Sequence, residues 1–65
     1  MTTEEYNACL RLWGLTKRRP SYSGASLYED GSGAFTTIPD AESLRFEERR
    51  DVLELVRAML GIEIH

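Results

Sequence analysis

The sequence predicts an α+β fold in which two helices pack on one face of a small antiparallel sheet, in the order helix, β-hairpin, helix. Three features predict it: a capped apolar stripe at the start, a glycine-rich tip between two short β-compatible runs, and a longer amphipathic stretch that stops at Gly61.

The first helix opens with Thr2-x-x-Glu5, a capping box in which the threonine hydroxyl and the glutamate carboxylate each satisfy a free backbone donor. Tyr6, Cys9, Leu10 and Trp13 follow at the spacing of one buried face, with Leu12 beside them. Gly14 then supplies the left-handed stop and Leu15 closes the last turn. Residues 16–24, TKRRPSYSG, lose the helical period and are rich in turn formers, so they are a connector or the start of an edge strand, read here as a loop leading into a strand. The hairpin is expected over Ala25 to Glu29 and Ala34 to Ile38, joined by Asp30-Gly31-Ser32-Gly33. A four-residue tip would place Leu27 opposite Thr36 and Ala25 opposite Ile38 on the covered side, and Tyr28 opposite Phe35 on the open side. Pro39 ends the second strand.

Leu44 to Leu60 is the longest amphipathic stretch. Stepping ~100° per residue puts Phe46, Val52, Leu53, Leu55, Val56, Met59 and Leu60 on one half of the cylinder. Glu47, Arg50, Asp51, Glu54 and Arg57 fall on the other half, and Glu48 and Arg49 lie at the end of the apolar side, where long chains reach past it to water. Ser43 is the expected N-cap, and Ile62 is expected to fold back beyond Gly61. Residues 62–65 alternate and read as a short extra strand or a frayed end.

A chain of 65 residues makes a single domain that buries only ~60% of its unfolded surface, so its core is small. One cysteine and one histidine make neither a disulfide nor a zinc site. No signal peptide and no membrane span are evident, which points to the cytoplasm. The net charge of −3 disfavours a dedicated phosphate-backbone binder, but it is unevenly spread: residues 6–28 carry +4 and residues 29–65 carry −5.

Nothing in the sequence assembles a catalytic set, so the protein is expected not to be an enzyme. The sole histidine, His65, is terminal, whereas a general base needs a fixed position. Cys9 lies on an apolar helix face with no neighbour to activate it. The DGSG tip leads into a strand, not into the helix N-terminus that a phosphate cradle needs. No cofactor, metal or small-molecule substrate is implied. Lys17, Arg18 and Arg19, with Tyr22, Tyr28 and Phe35, form the candidate partner-binding surface. Such a basic segment can be simply solvated, meet an acidic protein surface, or meet nucleic acid with an aromatic to stack on a base.

The succession of a helix, a hairpin with a DGSG tip, a proline-ended strand and a final helix resembles the HicA-type toxin ribonucleases. That resemblance implies a double-stranded-RNA-binding-like fold with an extra strand and a catalytic histidine in a Gly-Ser-His motif on the first strand. The matching region here reads Ser23-Gly24-Ala25-Ser26, without histidine, so ribonuclease activity does not carry over. The same order, with Ser21 to Ser26 entering the hairpin, resembles the head-tail joining proteins of lambda-like phages, which implies binding to other virion proteins. The expected function is a small interaction protein using the open hairpin face and the basic segment to hold a macromolecular partner, most readily a protein or a second copy. The alternatives are a nucleic-acid-binding module without cleavage and a phage or mobile-element accessory protein, as a joint or an inhibitor.

Overall fold

The computed structural model describes residues 1–61; the expectations for residues 62–65, Ile62 and His65 included, lie outside the described residues. Helix α1 (Thr3–Leu12) starts where its caps dictate. The Thr2 hydroxyl accepts from the Glu5 amide at 3.1 Å, and the Thr2 amide donates to the Glu5 carboxylate at 2.9 Å. At the other end Gly14, at φ +79°, lets its own amide reach the Arg11 carbonyl and the Leu15 amide reach the Leu10 carbonyl, both at 3.0 Å. These bonds satisfy carbonyls that a helix end leaves orphaned, and they fold Leu15 into the core.

The stretch after α1 is an edge strand, the second of the two readings its sequence allows, and not a loop. β1 (Thr16–Tyr22), β2 (Ala25–Glu29) and β3 (Phe35–Pro39) form one antiparallel sheet in the order β1-β2-β3. Among the described residues the sheet therefore has three strands, not the two of the predicted hairpin. Two register shifts, between Lys17 and Arg19 and between Pro20 and Tyr22, hide β1 from inspection, because each extra residue resets which side the next side chain takes. Pro20 and the cations fit a strand that is paired on one side only.

The β2–β3 register is one residue away from the expected one. Asp30 and Ala34 close the tip, with the Asp30 amide on the Ala34 carbonyl at 2.9 Å, the Gly33 amide on the Asp30 carbonyl at 3.2 Å and Gly33 at φ +88°. A turn followed by one left-handed residue is an odd-numbered connection, so every pairing moves by one relative to a four-residue tip. The Asp30 carboxylate holds this loop from inside, accepting from the Ser32 hydroxyl at 2.7 Å, the Ser32 amide at 2.8 Å and the Ala34 amide at 3.0 Å. Those hydrogen bonds, the Ser32 hydroxyl foremost, hold its carboxyl below the ordinary range.

The shift exchanges the two faces. Ser26 pairs with Ile38 and Tyr28 with Thr36, while Leu27 pairs with Thr37 and Glu29 with Phe35. Ser26, Tyr28 and Ile38 are buried, so the covered side is theirs, and Leu27, expected there, is turned to the open side. Ser26, the one buried polar residue among those described, donates to Asp40 at 2.7 Å.

Helix α2 (Phe46–Leu60) begins two residues later than Leu44. Its N-cap is Arg45, whose amide donates to the Glu48 carboxylate at 2.8 Å. Ser43 does not cap the helix because its hydroxyl is engaged elsewhere. It sits in a 3-10 turn (Ala41–Ser43) and donates to the carbonyls of Gly24 at 2.7 Å and Asp40 at 2.8 Å. Gly61, at φ +68°, ends the helix.

Leu53 and Val56 join Tyr6, Leu10, Leu15, Tyr28, Ile38 and Ala41 in one core. The buried strip of α2 is narrower than its apolar half: Phe46, Leu55 and Met59 are 59%, 67% and 68% exposed. A small sheet shared between two helices leaves each of them only a narrow contact. Arg49, expected merely to reach water, instead donates to the carbonyls of Ala41 at 2.9 Å and Met1 at 3.2 Å. Met1 thus lies against the start of α2, while Cys9 and Trp13 share a cleft with Leu53, Glu54 and Arg57, so the two helices run in the same direction. No helix among the described residues is long and apolar enough to cross a membrane.

Candidate partner-binding face

Both helices pack on the side of the sheet that carries Tyr28 and Ile38, and among the described residues the other side is open. The first shift in β1 decides what that side displays. Arg19 stands opposite Leu27, and the preceding Arg18 also reaches the open side, where its guanidinium meets the Glu29 carboxylate at 2.7 Å. Two consecutive side chains on one face are what a bulge permits and a regular strand forbids. Arg18, Arg19, Leu27 and Phe35 line a shallow groove of about 500 Å³.

Of the candidate residues, the structure brings Arg18, Arg19 and Phe35 together. Phe35 is 58% exposed, a large aromatic left in water on an otherwise short strand. Lys17 is on the helix side: it stands opposite Tyr28 and its ammonium lies 3.6 Å from Asp40. Tyr22 ends β1, paired through its backbone with Ala25. Tyr28 is not part of the surface. It is 4% exposed beneath the helices, and burial raises the pKa of its phenol. The one-residue difference in register is the cause.

Leu27, Glu29 and Thr37 belong to the face and were not singled out by the sequence. The signal that could have found them is the tip: Asp30 three residues before a glycine, with Ser32 between, suits a side-chain-braced turn closed by a left-handed residue.

The face can offer a partner an apolar floor, one ion-paired arginine and one arginine, Arg19, with no carboxylate within ion-pair distance among the described residues. A second cleft of about 390 Å³ lies between α1 and β1, lined by Asn7, Leu10, Arg11, Leu15, Thr16, Lys17 and Tyr28. Among the described residues no three of His, Cys, Asp and Glu are grouped as metal ligands. Cys9 is free and half-buried. Compared with protein families, curated proteins and solved structures, the chain matches none.

Proposed function

We propose that the chain is a non-enzymatic interaction protein that binds a protein partner through the open face of its sheet. One observation carries this reading: an exposed Phe35 beside Leu27, rimmed by Arg18 and Arg19. Aromatic and arginine side chains over an apolar floor are the residues that dominate protein interfaces. The partner that fits presents an apolar side chain to Phe35 and a carboxylate to Arg19. Free Cys9 suits a reducing compartment such as the cytoplasm.

Affinity capture with the tagged chain, repeated with Phe35→Ala and Arg19→Glu, tests this. Each substitution leaves the core untouched and is expected to weaken capture of the partner by ~10-fold or more. Capture that neither substitution reduces would refute the assignment of this face.

A second reading, nucleic-acid binding by a module of the toxin-like fold without cleavage, is favoured by the third strand, which that resemblance implied, and by three successive cations within β1. It is weakened by pairing, because carboxylates within the chain already hold Lys17 and Arg18 and leave little charge to release counterions from a phosphate backbone. Titration with duplex RNA at low salt separates the two: steep salt dependence that is lost in Arg18→Ala/Arg19→Ala would favour nucleic acid.

A further inference from the structure

The two edges of the sheet are not alike. β1 is blunted as edge strands usually are, with two register shifts, a proline and three cations. β3, the sequence FTTIP, has an unbroken register with β2 and no charge. Its pairing is fixed at both ends, by the Asp30 amide on the Ala34 carbonyl and the Asp40 amide on the Gly24 carbonyl. In an antiparallel ladder the bonded pairs alternate, so Thr36 and Ile38 bond to β2 while the backbone groups of Phe35 and Thr37 point away from it. Pro39 has no N–H, and its carbonyl is taken by the Tyr6 hydroxyl at 2.6 Å. Among the described residues, no hydrogen bond reaches the outward groups of Phe35 and Thr37.

We propose that β3 pairs antiparallel with β3 of a second copy about a two-fold axis at Thr36, joining two three-stranded sheets into one. The spacing makes the edge self-complementary. With Thr36 on the axis, Phe35 of one copy stands opposite Thr37 of the other, and each such pair exchanges both N–H···O=C bonds.

Charge selects the occupant. A two-fold axis sets each side chain near its own copy, so the cations of β1 would repel across such an axis, and uncharged β3 has nothing to repel. Phe35 would then lie across from a β-branched threonine on the open side, a favourable cross-strand pair. The association also suits a domain whose own core is small. The inference does not depend on the partner proposed above, and its test needs none.

Sedimentation of the full chain between ~10 μM and ~1 mM is expected to show monomer giving way to dimer. Thr37→Val keeps the outward N–H and is expected to keep the dimer. Thr37→Pro removes that N–H but spares the β2–β3 ladder, and is expected to weaken association by ~10-fold or more while circular dichroism stays that of the native fold.

Amide exchange on the unaltered chain gives a measurement free of mutation. The Phe35 and Thr37 amides are expected to slow as concentration rises, with the β1 amides unchanged. A chain that stays monomeric at ~1 mM, a dimer that survives Thr37→Pro, or exchange at Phe35 and Thr37 that ignores concentration would each overturn the proposal. Slowing at those two amides carries it even if Thr37→Pro fails to fold.

Discussion

Tyr6 joins three elements with one side chain. It is fully buried on α1, lies in the core with Tyr28 of β2, and donates its hydroxyl to the Pro39 carbonyl of β3 at 2.6 Å. Burial, then the neighbouring Tyr28 and Asp40, push its pKa well above the ordinary 10.0. The folded state therefore favours the neutral phenol. Its stabilisation is complete below the unfolded value of about 10 and is lost as pH rises beyond it. Tyr6→Phe strands the Pro39 carbonyl without its donor, and is expected to cost ~1–2 kcal/mol at neutral pH. The same substitution should flatten part of the alkaline decline, Tyr28 accounting for another part. Urea melts of both proteins on either side of pH ~10 measure the two effects.

Among the elements, the turn that joins β1 to β2 is the tightest join. Gly24 has φ +82°, its carbonyl accepts from both the Asp40 amide and the Ser43 hydroxyl, and a Cβ placed there would lie 3.1 Å from the Ser43 Cβ. Gly24→Ala is expected to cost ~1–3 kcal/mol. Gly14→Ala, with φ +79° but nothing within 4 Å of the added atom, carries only the backbone part, so the difference between the two melts isolates the contact with Ser43. Elements whose instructions are local were legible in the sequence. The Thr2 and Glu5 box and the Gly14 and Gly61 stops act through neighbours a few residues away, and their residue types announce the bonds they make. β1 was legible only as one of two readings, because its shifts at Arg18 and Ser21 erase the alternation by which a strand is read. The start of α2 was misplaced because Ser43 serves a distant carbonyl, that of Gly24, and no local pattern reveals a claim from 19 residues away.

At the scale of the whole molecule, one two-layer core joins the described elements, and the molecule is only 17 Å across in its thinnest direction. Val56, 4% exposed and with Leu53 one of the two buried residues of α2, has no second core to fall back on among the described residues. Val56→Asp buries an unpaired carboxylate at a cost of several kcal/mol, against a total of ~5–15 kcal/mol for a domain. Loss of the cooperative melt is the expected outcome by circular dichroism, whereas the exposed Leu55→Asp should melt within ~0.5 kcal/mol of the native chain. The α+β class and most of the inward positions of the helices follow from apolar spacing. The candidate face was legible in Arg18, Arg19 and Phe35 but not in its apolar floor, because one residue in the hairpin tip decides whether Tyr28 or Leu27 looks outward, and that residue count belongs to the turn.

The third strand also sets the sense of the final helix. With two strands, the chain would reverse three times between its helices and return α2 head to tail with α1. Three strands add a fourth reversal, and the helices lie side by side pointing the same way. Their peptide dipoles consequently add instead of cancelling, which gives this small molecule an electrical polarity along its length that a two-stranded version of the same elements would lack.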